Sequence, residues 1–222
     1  MKILTSVFLG LFTTSLFAET AAPMVAPPAT PAAKTFSGEA AKIQEHLTSV
    51  FESARKVNAD GADKAPARDK VQKSMDWERV AKDCLGAGEW KKAGAANQKA
   101  YKDLLQDVII RTAYTRVDTF MKGATYTFKD IKVKGKEAQA TVIFKQGVDE
   151  FTLDYYLSKG AAGWLVYDIA FEEIRYSENI REQIQAFLAD KGKAKGFSSL
   201  LAKLKERRDK LVEDAASAKK ES

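Results

Sequence analysis

Three consecutive stretches decide the fold: Ala138-Gln-Ala-Thr-Val-Ile-Phe-Lys145, Phe151-Thr-Leu-Asp-Tyr-Tyr-Leu-Ser158 and Trp164-Leu-Val-Tyr-Asp-Ile-Ala-Phe171. In the first, Ala138, Ala140, Val142 and Phe144 alternate with Gln139, Thr141, Ile143 and Lys145. In the second, Phe151, Leu153, Tyr155 and Leu157 alternate with Thr152, Asp154, Tyr156 and Ser158. A period of two sustained in this way marks half-buried strands. Tyr126 and Phe128 open an earlier strand, so four are predicted. Gly135, Gly147 and the pair Gly160/Gly163 sit in the three connections, each short enough for a hairpin. Four strands joined in sequence make an antiparallel meander with one apolar and one wetter face.

Outward from the meander the period becomes helical. Ile43, Leu47, Val50, Phe51 and Ala54 predict an amphipathic helix from Gly38 to Val57, ended by Asn58-Ala-Asp-Gly61. Shorter helices are predicted over Ala67–Ser74 and Trp77–Leu85, with Gly86 and Gly88 as breakers. A long helix starting near Ala95 carries Tyr101, Leu105, Val108, Ile109 and Thr112 in one stripe, then Val117 and Phe120 before Gly123. After the strands, Ser177 is placed to cap a helix bearing Ile180, Ile184, Phe187 and Leu188, and a last helix bears Phe197, Leu200, Leu201 and Leu204. Helices, a curved meander, then helices: the class is α+β.

Before the first helix lie two segments of different character. Lys2 precedes an apolar run from Ile3 to Phe17, with small-residue cleavage expected after Ala18, the layout of a secretory signal over 1–18. Residues 19–36 are rich in Ala and Pro and hold four of the five prolines, the composition of an extended leader with no part in ligand contact. The folded unit is expected over 37–208, followed by a charged, fraying tail over 209–222. Apolar residues make up 45% of the 222, enough for a sizeable core. The net charge of +6 is too small and too dispersed for a nucleic-acid partner.

Catalytic chemistry has little to draw on. The chain has one cysteine and one histidine, which excludes a disulfide framework or multi-cysteine zinc site, and leaves no cofactor implied. His46 sits at the rim of the first helix's apolar stripe, without a nucleophile at useful spacing. Cys84 reads as a small core filler. Asp168, Glu172 and Glu173 form the densest acidic group; a pair of carboxylates set across a cleft could do glycoside chemistry, but edge solvation or pairing with Arg175 and Arg181 explains them more simply. Lys129, Lys132, Lys134 and Lys136 surround the first hairpin turn as a solvated tip; Lys132, Lys134 and Arg175 are also the candidates for transient contact with an anionic membrane surface or a partner.

Two blocks of sequence carry a likeness. The first is Met75-Asp76-Trp77, Ala81, Leu85-Gly86, Trp90, Gln98, Tyr101 and Leu105, leading to Arg111-Thr112-Ala113-Tyr114. The second is Gly163-Trp164, Val166-Tyr167-Asp168-Ile169, Glu172, Asn179, Arg181, Gln183, Gly196 and the Leu200/Leu204 helix. Together they resemble the periplasmic phospholipid-carrier family of the Mla lipid-asymmetry pathway, MlaC-like and also called the toluene-tolerance family, over about residues 40 to 207. The chain departs from the family pattern at Glu173 and Arg175, where the family has Gly and Ser, and at Ile180 and Ile184, which replace Tyr and Phe. The resemblance implies a helix-wrapped, strongly bent, cone-shaped sheet of NTF2-like form with a deep apolar cavity for acyl chains. It also implies a periplasmic monomer that shuttles phospholipid between an outer-membrane lipoprotein complex and an inner-membrane lipid transporter.

The residues give that cavity a physical basis. Ala138, Ala140 and Ala170 fall where a closed core would want bulk, so helices standing off the sheet would leave a dry space. Helix side chains filling that space are the alternative. The expected lining is Leu47, Val50, Phe51, Leu105, Ile109, Tyr126, Phe128, Val142, Phe144, Phe151, Leu153 and Tyr155, by convergence on one face. Two other readings stay open: an enzyme using Asp154 or Asp168 inside the cone, and a packed structural or chaperone-like adaptor.

Overall fold

The computed structural model describes residues 34–58, 64–191 and 193–218. The expected signal segment, and all of the leader but Lys34, Thr35 and Phe36, lie outside the described residues. Those last residues are docked: Phe36 packs on the core of the sheet and Lys34 Nζ pairs with Asp130 at 2.6 Å.

In chain order the elements are α1 (Gly38–Ala54), α2 (Lys64–Lys73), α3 (Trp77–Leu85), α4 (Ala87–Met121), β1 (Thr125–Lys134), β2 (Glu137–Gln146), β3 (Asp149–Gly160), β4 (Gly163–Phe171), β5 (Ile174–Arg175), α5 (Tyr176–Lys191) and α6 (Lys193–Ala218). The α+β expectation holds. The sheet is antiparallel with order β1-β2-β3-β4-β5, so the meander gains a short fifth strand. Helix α1 stops at Ala54, short of Val57. Helix α4 begins at Ala87 and breaks at Gly94 (φ 74°, ψ 160°), a conformation that L-residues avoid. Gln98 Nε2 donates to Trp90 O across that break at 2.8 Å, and Trp90 meets Tyr101 ring to ring at 6.5 Å. Helix α6 runs on to Ala218 with Leu211 buried, past residue 208 where the folded unit was expected to end.

Two bulges shape the sheet. In β1 the pairing skips Lys129, so the inner face passes from Phe128 to Ile131; in β4 it skips Tyr167, so the inner face passes from Val166 to Ile169. Each bulge bends its strand and exchanges the faces beyond it. Ala170, expected among the inner residues, therefore points with Asp154 and Asp168 to the outer face.

Two apolar cores result. One joins the inner face of the sheet to α1 (Ile43, Leu47, Phe51) and to the end of α4 (Val117, Phe120, Met121). The other joins α3, the middle of α4 (Tyr101, Leu105, Val108), α5 and α6. Met75 packs against both. Beside it, Asp76 N donates to Val166 O and Val166 N to Ser74 O, each at 2.9 Å, covering the open edge of β4. Asp76 also caps α3, accepting from Arg79 N at 3.1 Å. The Met-Asp-Trp block is thus a structural joint.

The start of α5 is capped from the sheet, not by Ser177 as the sequence suggested. Asp168 accepts from Ser177 N at 3.1 Å and from Ser177 Oγ at 2.6 Å, with Arg175 Nε 3.9 Å away. Between β4 and β5, Glu172 (φ 50°) and Glu173 (φ 68°) both occupy the left-handed region, the geometry of a two-residue hairpin turn that favours glycine. Glu173→Gly should raise stability by roughly 0.5–1 kcal/mol, relief of that strain less the added freedom of the unfolded chain. Asp168→Ala should lower it by about 2 kcal/mol, since two buried donors lose their acceptor. Urea midpoints at unchanged slope measure both.

Candidate functional site: an aromatic face closed by one helix

The inner face is dominated by rings. Phe51 of α1 meets Tyr126 at 5.0 Å, Tyr155 at 5.2 Å, Phe144 at 5.4 Å and Phe128 at 6.2 Å. Phe144 stacks on Phe151 at 5.5 Å, and Phe120 of α4 touches both, at 5.9 and 4.6 Å. The strand positions are dictated by period two; Phe51 arrives because Ile43, Leu47 and Phe51 lie one turn apart along α1. Burial pushes the Tyr155 hydroxyl pKa up, so it stays protonated.

Of the expected lining, Leu47, Phe51, Phe128, Val142, Phe144, Phe151, Leu153 and Tyr155 are buried together here, and Tyr126 packs on their edge. Leu105 and Ile109 are elsewhere, in the helical core with Val108, because α4 crosses from one core to the other along its length. Val50 is half-buried and belongs to neither cluster. Phe120 and Ile131 were missed. Phe120 was legible at the end of the α4 stripe, whereas Ile131 was hidden by the bulge.

Where the sequence expects an open apolar cavity, Leu47, Ala140, Val142 and Phe144 are fully buried. Ala138 and Ala140 are buried in the same cluster that holds Ile43 and Leu47. Two concavities among the described residues hold about 170 and 60 Å³. Both fall below the roughly 300 Å³ at which small-ligand pockets begin. The larger lies on the seam between α1 and β1, lined by Lys34, Gln44, Thr48, Tyr126, Thr127 and Phe128.

Polar ties hold α1 to the sheet at both ends. Near its start, Glu39 accepts from Lys159 Nζ at 2.7 Å, Trp164 Nε1 at 3.0 Å and Lys42 Nζ at 2.8 Å. Near its end, Arg55 donates to Ala124 O at 2.5 Å and Tyr126 Oη to Glu52 at 3.2 Å. Among the described residues no helix is long and apolar enough to cross a membrane, and no cluster of ligating side chains fits a metal ion.

The carboxylates considered for catalysis lie outside the cone. Asp154 is on the outer face, accepting from Thr141 Oγ1, and Asp168 is occupied as the α5 cap. Cys84 is fully buried in the helical core, where desolvation pushes its thiol pKa up. His46 is half-buried, its Nε2 without a hydrogen-bond partner; burial, with help from Lys70, lowers its pKa. On the outer face Arg79 lies over Tyr167 at 3.3 Å and Arg175 over Tyr156 at 3.8 Å, so Arg175 is held against the sheet.

The sequence model of the MlaC protein family matches residues 42–206, three-quarters of the chain, and spans both cores. The chain belongs to the MlaC family. A solved structure with the same fold is the phospholipid-binding protein of Ralstonia solanacearum, determined in complex with a phospholipid. It is 20% identical, with a TM-score of 0.66 over 79% of this chain and 99% of that one. Among curated proteins none matches. The MlaC match begins inside α1 and ends inside α6, so the helix that covers the aromatic face belongs to the family unit.

The Glu39 cluster makes an acid-sensitive tie. Hydrogen bonds from Lys159, Lys42 and Trp164 depress its pKa from 4.5 to about 2. A depressed carboxylate contributes stability that is present above pH 4.5 and is lost as pH falls toward 2. Carboxyl-detected NMR titration should place Glu39 near 2, and Glu39→Gln should flatten the acid limb of the stability curve over that window.

Proposed function

We propose that the protein is a phospholipid carrier of the periplasm, which takes acyl chains between α1 and the inner face of the sheet. It moves lipid between an outer-membrane lipoprotein complex and an inner-membrane lipid transporter, as a monomer without cofactor and with only transient membrane contact. The observation that carries this reading is membership of the MlaC family over 42–206, supported by a fold-mate from Ralstonia solanacearum described as phospholipid-binding. The chemistry of the face supports it too. Nine of the proposed lining residues (Leu47, Phe51, Tyr126, Phe128, Val142, Phe144, Phe151, Leu153 and Tyr155) form one apolar surface covered by one helix and the end of another.

The closed rings fit a lipid-free state. An acyl chain gains about 0.8 kcal/mol per buried methylene, but a bilayer offers it the same. A carrier that stayed hollow after delivery would forgo the contacts of its own walls. Collapse of Phe51 onto four rings restores part of that loss, each ring pair being worth about 0.5–1.5 kcal/mol. Loading and release then lie close in free energy, as two-way transfer requires. The head group stays at the rim, which avoids desolvating its charge.

Native mass spectrometry of the purified protein, followed by solvent extraction, should find bound phospholipid. Val142→Asp and Leu153→Asp should abolish it while helical circular dichroism largely persists, because α3–α6 have a core of their own. Lipid retained by both variants overturns the site. The filled interior favours one second reading, the packed adaptor; protein that stays lipid-free even after incubation with vesicles would establish that instead.

A further inference from the structure

Resting on the carrier reading for its purpose, we propose that the protein meets anionic bilayers with one end of its sheet, where Lys132, Lys134 and Lys136 reach phospholipid phosphates and the turn 160–163 lies on the headgroups. The β1–β2 and β3–β4 turns are side by side at that end, joined by Lys159 N donating to Lys136 O at 2.8 Å. The carboxylates near the three lysines are already engaged. Asp130 is held by Lys34 at 2.6 Å, Glu137 by Arg79 at 2.8 Å, and Glu39 by Lys42 and Lys159 at 2.8 and 2.7 Å. Asp76 is turned onto Ser158 Oγ and the start of α3. Lys132, Lys134 and Lys136 are exposed and make no ion pair among the described residues, so their charge is left for whatever approaches.

The neighbouring turn, Gly160-Ala161-Ala162-Gly163, carries no charge and exposes both alanines. At the opposite end of the sheet the sign is reversed. Asp149, Glu172 and Glu173 are exposed there and make no ion pair among the described residues, with Lys122 beside the β2–β3 turn. Strands β1 and β2 have ten residues each, a separation of about 33 Å between the ends. That is about three Debye lengths at 0.1 M salt, so an anionic surface draws the lysine end while its repulsion of the acidic end is screened. Lysines are point charges on flexible stems, suited to phosphates that move; protein partners are gripped by Trp, Tyr and Arg anchors. Around these two turns the exposed side chains include Val133 and the two alanines but no aromatic ring among the described residues, which favours a lipid surface over a protein.

Cosedimentation with vesicles at low salt tests this. Wild-type protein should bind vesicles of phosphatidylcholine mixed with phosphatidylglycerol, and not those of phosphatidylcholine alone. Lys132→Gln, Lys134→Gln and Lys136→Gln should each lower the partition about fivefold, and their combination should keep its phospholipid in native mass spectrometry. Removing as many exposed charges from the helical layer, by Lys91→Gln, Lys205→Gln and Lys210→Gln together, should cost far less. Equal loss in the two combinations, or no binding by the wild type, overturns the surface and leaves lipid carriage standing. Wild-type protein that binds vesicles but holds no phospholipid overturns the carrier reading and keeps the surface. Orientation has its own readout: Cys84 is fully buried, so a polarity-sensitive dye can be placed on Ala161→Cys or Val148→Cys alone. Vesicles should shift the emission at 161 to the blue and leave that at 148 unchanged; the reverse overturns the proposal.

Discussion

The rest of the structure depends on two single-residue bulges, at Lys129 in β1 and Tyr167 in β4. Without them the sheet would keep one parity along each strand, and β4 would turn Asp168 and Ala170 toward α1. With them, Ile131 and Ile169 join the inner face, and Asp168 faces outward to cap α5. One backbone irregularity thus serves both cores: it keeps the inner face free of carboxylate and ties the helical layer to the sheet. The bend that accompanies each bulge allows one short helix, α1, to meet β1 through Tyr126 and Phe128 and β3 through Tyr155.

The division into two cores has mechanical consequences. Helix α4 passes through both, with Leu105 and Val108 in the helical core and Phe120 and Met121 against the sheet. It therefore acts as a fixed strut. Helix α1 belongs to the sheet core, and just beyond its end Arg68 of α2 donates to Val57 O at 2.7 Å and Asn58 Nδ2 donates to Tyr114 O of α4 at 2.6 Å. A change in how α1 lies on the rings need not disturb α3, α5 or α6. On the proposed carrier reading, a cover able to shift on its frame suits cargo that leaves as readily as it arrives.

Most of this was legible in the residues. Period two placed β2 and β3 because neither contains a bulge, and it correctly gathered Val142, Phe144, Phe151, Leu153 and Tyr155 on one face. It failed at Ala170 and Ile131 because a bulge leaves no marker in side-chain chemistry; Lys129 and Tyr167 are ordinary strand residues. The stripe of α4 was read as one surface, so Leu105 and Ile109 were assigned to the sheet. A helix this long turns its apolar stripe past two different neighbours, and periodicity cannot say which one each turn meets. The β5 turn was invisible for a related reason. Glu172-Glu173 lacks the Asn-Gly chemistry that announces such turns, and adopts the conformation under the constraint of Asp168 and Arg175 on either side.

The inner face is closed to solvent where the sequence expects room for a tail, and the reason is physical. Alanines at 138 and 140 leave room, but a protein interior without a ligand closes on itself wherever flexible side chains can reach. Phe51 can reach because α1 carries it over the rings of β1, β2 and β3, and Phe120 can reach because α4 ends over Phe151. On the proposed carrier reading, space for a tail belongs to the loaded state, and small strand residues opposite large aromatic ones on the cover are what such a state requires. A permanently packed adaptor would have no need of that asymmetry: larger residues at 138 and 140 would fill the interior with less dependence on one phenylalanine.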